Sequence, residues 1–104
     1  MKNDKITKFG ISLEREVYLK IKKRLEELEE KSPANSSIHL EFDRRAENIK
    51  GRLTIRSLYK TFKSEKIAFD PMIAFMLMID DIEKQLLQWK KRRFTQSNVN
   101  LNYA

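Results

Sequence analysis

Cysteine is absent from the 104 residues, so neither a disulfide framework nor a thiolate metal site is available. Glycine and proline occur twice each and histidine once. That leaves no material for a phosphate-cradling glycine loop, a dinucleotide fingerprint or a nucleophile–base set. No apolar run approaches the roughly 18 residues of a membrane span, and the polar start has no apolar signal segment. The absences predict a cytoplasmic protein that is not an enzyme, with no catalytic residue, metal or cofactor and no membrane partner.

Charge is what the chain has in excess. Charged residues make up 36% and the net charge is +7, against 40% hydrophobic residues. The apolar share is too high for disorder throughout, and the length suits one domain with a modest core. A surplus of cations favours an acidic partner, nucleic acid foremost.

Hydrophobic periodicity orders the elements. Residues 1–10 hold one short alternation, Ile6-Thr-Lys-Phe9, readable as a brief edge strand or a disordered arm. Ser12 is placed to cap a helix ending near Lys31, with Leu13, Val17, Ile21, Leu25 and Leu28 on one stripe. Ser32 to Ser37 is a linker. Ile38 to Asp43 and Arg52 to Arg56 alternate as strands, joined by a polar connection from Arg44 to Lys50, with Gly51 supplying backbone freedom. A third strand falls within Leu58 to Phe69, with no Gly, Pro or Asn to mark its turn. Asp70-Pro71 then reads as N-cap and N1 of a second helix. Its stripe is Met72, Phe75, Met76, Ile79, Ile82 and Leu86, and it ends near Arg93. Residues 1–94 form a single α+β domain of order β-α-β-β-β-α, the first strand short or missing. Two helices cover one face of a small, mostly antiparallel sheet. His39, Glu41, Thr54 and Arg56 face water on the other side. Residues 95–104 are expected to be a disordered tail, or less readily a strand from Val99 to Tyr103.

Several clusters carry chemistry on paper. His39, Glu41 and Asp43 share one strand face, but solvation explains that better than metal binding. Lys90-Lys-Arg-Arg93 exceeds what the helix dipole asks of a C-terminal turn. Trp89 and Phe94 flank the run as candidates to stack on bases, although Trp89 at the stripe's edge reads more readily as core. The outward face of the first helix is basic at Arg15, Lys22 and Lys23 and acidic from Glu26 to Glu30. That of the second carries Ile73, Leu77, Asp81, Lys84, Gln88 and Lys91. Arg44, Arg45, Lys50 and Arg52 make a third basic patch, at the hairpin.

The element order and the second helix together resemble the ribosome hibernation-promoting factor and protein Y family, also called the ribosome-associated inhibitor or sigma-54 modulation family. Its members often carry Asp-x-Tyr-x-Ala-Ile-Asp followed by Lys-Leu-Glu-Arg-Gln-Leu. This chain has Asp70 and Ala74, then Ile82, Glu83, Lys84, Gln85 and Leu86, at the corresponding positions. Met72 stands where Tyr is usual and Asp81 where the first Lys is usual. The similarity spans about residues 6–92. The resemblance implies the short form of the family: an inhibitor, active in dormancy and stress, whose basic helix faces bind 16S rRNA in the tRNA and mRNA channel of the 30S subunit. Double-stranded RNA-binding domains, of order α-β-β-β-α, place a Lys-rich helix start on phosphate. Pro71 to Leu77 has no cation.

The RNA-binding residues expected on this reading are Arg15, Lys22, Lys23, Lys84, Lys91, Arg92 and Arg93. The rival reading uses the same fold as a protein-interaction or homodimerising module, with Ile73 and Leu77 of the second helix as its interface.

Overall fold

Alternating apolar residues give the sheet one dry face. A computed structural model describes the backbone of residues 5–103 and the side chains of residues 10–92. The elements run β1 (Lys5–Phe9), α1 (Arg15–Lys31), β2 (Ser37–Arg45), β3 (Asn48–Arg56), β4 (Thr61–Ala68) and α2 (Pro71–Tyr103). The sheet order is β1-β2-β3-β4, with β1 parallel to β2 and the remaining pairs antiparallel. The protein is therefore an α+β fold of order β-α-β-β-β-α. With β1 paired along β2, the five-element order of a double-stranded RNA-binding domain does not describe it. Ile38, Leu40 and Phe42 of β2, Ile49, Leu53 and Ile55 of β3, and Phe62 of β4 are buried beneath the helices.

The β2–β3 hairpin is tighter than the sequence suggests. Arg45 pairs with Asn48, leaving Ala46 and Glu47 as the loop, and Ala46 adopts a left-handed φ of 56°. Gly51 is thus not part of a turn. It lies inside β3 opposite Phe42. A β-carbon there would stand 2.4 Å from Met78 Cε and 3.3 Å from Phe42 Cε1. Its missing side chain lets α2 settle onto the sheet. The next turn has a signal after all. Ser57 Oγ accepts from the amides of Tyr59 and Lys60 and donates to the Lys60 carbonyl, which makes a serine turn without glycine.

Both helices depart from expectation at their ends. Ser12 is exposed and outside α1, whose N-cap is Glu14 in extended conformation without a side-chain cap bond. Ile11 and Leu13 pack against the core, so the chain stays extended past Ser12 before it turns. Asp70 does cap α2: its Oδ2 accepts from the amides of Met72 and Ile73 at 2.9 and 3.2 Å. The α2 backbone stays helical to Tyr103 rather than stopping near Arg93, so no strand forms from Val99 to Tyr103. Its buried stripe is Ala74, Phe75, Met78, Ile79, Ile82 and Leu86. Met76 is 44% exposed and Met78 fully buried, the reverse of the expected assignment.

Asp70→Ala should lower stability by about 0.5–2 kcal/mol through loss of the cap. Gly51→Ala should cost about 1–3 kcal/mol, because Met78 must leave a packed position. Urea unfolding of the two variants checks both.

Candidate nucleic-acid interface

The path of the chain sets the helix layer. Strands β2 and β4 run in one direction, and α1 and α2 both run against it, so the two helices lie side by side in the same sense. Glu83 of α2 joins them, at 3.0 Å from Lys31 Nζ and 3.7 Å from Arg24 of α1. On the opposite flank α2 is tied to β4. Gln85 Nε2 donates to the Lys63 carbonyl at 2.7 Å and to Asp81 Oδ1 at 3.3 Å, and Lys66 lies 3.9 Å from Asp81.

These contacts correct the expected position of Asp81. It does not stand on the outward crest of α2 but leans, partly buried, over the edge of β4. Its carboxyl lies below the usual aspartate range, chiefly because the Ser64 hydroxyl faces it. Burial opposes this, while Gln85, Lys66 and Lys84 add to it. The buried Ser64 Oγ completes no hydrogen bond of good geometry, so it acts on Asp81 as a nearby dipole.

The exposed cations separate into two groups on the helix layer. Arg15, Lys22 and Lys23 stand exposed on the first half of α1. Lys91 and Arg92 stand exposed on α2, beyond Leu86, the last buried residue among those described. None of these five has a carboxylate partner among the described residues. Lys84 is exposed too, but it pairs with Asp80 at 3.2 Å. Arg93 belongs to α2, and its side chain lies outside the described residues, as does that of Phe94. Two further unpaired cations, Lys20 and Lys90, accompany the two groups. Helical projection puts Lys20 on the flank rather than the crest, which is why a face-by-face reading leaves it out. Lys90 opens the basic run itself. The Glu83 ion pairs sit between the groups. From Glu83 to Lys91 is roughly 12 Å along the helix axis.

The hairpin patch is mostly neutralised. Arg52 sits across β3 between Glu65 of β4, at 2.7 Å, and Glu41 of β2, at 3.7 Å. Lys50 reaches Glu65 at 3.5 Å, and Arg45 reaches Asp43 at 3.0 Å. The Arg52 hydrogen bond and the Lys50 charge hold the Glu65 carboxyl below its ordinary range. Arg44, Arg56 and Lys63 stay exposed, with no carboxylate partner among the described residues, scattered over the sheet side. Thr54 does not meet water as expected. It is 6% exposed between His39 of β2 and Lys63 of β4.

Trp89 is held by the fold. It packs on the core edge-on to Phe62 and tilted against Tyr59, with both centroids 6.0 Å away. Stacking on a base would require it to leave those rings. Ile73 and Leu77 are exposed at 40% and 46% and stay uncovered by the loop before Asp70.

No protein-family model and no curated protein matches the sequence. The fold is similar to the structure of a ribosomal subunit interface protein from Coxiella burnetii, with a TM-score of 0.70 and 16% identity. The superposition covers 84% of this chain and 97% of that one.

Asp81 has a depressed folded pKa, so it adds stability above its unfolded pKa of about 3.9, and that gain fades as pH falls through and below this value. Asp81→Asn should therefore lower Tm more at about pH 7 than at about pH 2. Thermal melts at the two pH values check the sign.

Proposed function

We propose that this protein is a ribosome-associated translation inhibitor of the hibernation type. On this reading it binds 16S rRNA in the tRNA and mRNA channel of the small subunit through its helix layer. The observation that carries the reading is the set of exposed cations without carboxylate partners on the helices: Arg15, Lys22 and Lys23 on α1, and Lys91 and Arg92 on α2. Arginine and lysine left unpaired at a surface are available to displace counterions from phosphate, the main source of affinity for RNA. The fold shared with a ribosomal subunit interface protein supports the choice of the ribosome as partner.

The roles follow from position. Arg15, Lys22 and Lys23 hold one stretch of phosphates beside the first turns of α2. Lys91, Arg92 and Arg93 hold a second, past the end of α1. Lys84 contributes less, because contact with phosphate must compete with Asp80 on the same helix. The acidic residues Glu26 to Glu30 keep the backbone of the RNA away from the end of α1. Asp81, drawn toward Lys66 and Gln85 at the edge of β4, keeps its charge off the outward crest and partly offset by Lys66, so it opposes binding less than an outward carboxylate would. Occupying the channel excludes mRNA and tRNA, which silences the ribosome without any chemical step.

The protein should co-sediment with 30S or 70S particles at low salt and be released as salt rises. Changing Lys91, Arg92 and Arg93 together to Ala should weaken binding and reduce the slope of log affinity against log salt by about 2–3. Failure to sediment with ribosomes at any salt concentration contradicts the proposal.

A further inference from the structure

The outward crest of α2 has an order that RNA binding does not use. Ile73, Leu77, Asp80, Lys84, Leu87 and Lys91 follow one another at alternating steps of four and three residues, the spacing of a coiled-coil seam. Ile73, Leu77 and Leu87 are 40%, 46% and 55% exposed. The Asp80 and Lys84 side chains between the two leucines are 69% and 73% exposed. The seam lies opposite the buried stripe, so it is open along its length.

Its middle, from Leu77 to Leu87, is self-complementary when reversed. Laid against itself antiparallel, about a two-fold axis that passes between the copies level with Ile82, the seam sets Leu77 of one copy on Leu87 of the other, with Ile73 facing Lys91 at each end. The same register sets Asp80 on Lys84 of the other copy, and Lys84 on Asp80. Laid parallel and in register, it sets Asp80 on Asp80 and Lys84 on Lys84, which repels. Charge thus selects the antiparallel arrangement, in which two leucine pairs flank two ion pairs.

We infer that a second copy of this chain is the occupant of the α2 crest, in an antiparallel homodimer registered by reciprocal Asp80–Lys84 pairs. The apolar part of the seam is small, so the association is reversible and depends on concentration. The dimer covers Lys84 and Lys91. Where the RNA-binding reading proposed above also holds, self-association and ribosome binding exclude each other. The dimer itself does not rest on that reading, and its test contains no RNA.

Sedimentation velocity of the full chain over rising concentration tests it, with thermal melting to show that each variant is folded. The wild-type sedimentation coefficient should climb from the monomer value toward the dimer value. Asp80→Lys alone, Lys84→Asp alone and Leu77→Asp should each hold the protein at the monomer value. The double reversal Asp80→Lys with Lys84→Asp should restore the climb. A wild-type monomer at every concentration overturns the inference, and so does a dimer that the single reversals leave intact or the double reversal fails to restore.

Discussion

Met78 fills the space where a side chain on Gly51 would stand, and the buried face of α2 packs on the sheet around that contact. The absent β-carbon lets α2 lie close against β3, with Phe75, Ile79, Ile82 and Leu86 filling the space over Leu53, Ile55 and Phe62. Once that face is fixed, every other position on α2 is fixed with it. Glu83 falls beside α1, Asp81 and Gln85 fall beside β4, and Ile73, Leu77, Asp80, Lys84, Leu87 and Lys91 are left facing out. A change in the rotation of α2 would move Asp81 onto the crest and turn the leucines inward.

Electrostatics then divides the molecule. Across the sheet, register places Glu41, Arg52 and Glu65 on three adjacent strands, and the arginine is shared between the two carboxylates. Such exposed pairs add little stability, but they leave the hairpin with little charge to offer a partner. On the helices, glutamates gather at the end of α1 while lysines and arginines gather at its start and along α2 past Leu86. Residues 37–68 still hold eight Lys and Arg against four Asp and Glu, and the two helices eleven against eight, so what distinguishes the helix layer is the clustering of its exposed cations rather than a larger surplus.

Much of the architecture was legible because it rests on local chemistry. The strict alternation of Ile38 to Asp43 identifies β2, and Asp70-Pro71 marks the start of α2 through a side-chain oxygen and a missing amide hydrogen. The 3.6-residue stripe of α1 needs no neighbour to be recognised. What was not legible depends on partners distant in sequence. Met76 and Met78 are the same residue type 200° apart on a helix, and only the sheet decides which is buried. Gly51 in a polar stretch looks like a turn until Met78 is known to lie above it. Asp81 looks like an exposed charge until Ser64, Lys66 and Gln85 are placed around it. The Ser57 turn had a local signal, since serine can substitute for glycine where its hydroxyl bonds the amides ahead of it. For the interface, the unpaired state of Arg15, Lys22, Lys23, Lys91 and Arg92 could not be read from sequence, because pairing depends on which carboxylates the fold brings within reach.

The central claim is that the helix layer, not the open sheet face, meets the ribosome. Lysine acetylation footprinting of the protein alone and in complex with 30S subunits tests it most directly, because lysines occur on both sides. The account predicts that Lys22, Lys23 and Lys91 become protected in the complex while Lys63 on the sheet side stays reactive. Protection of Lys63 with the helix lysines unchanged would contradict it.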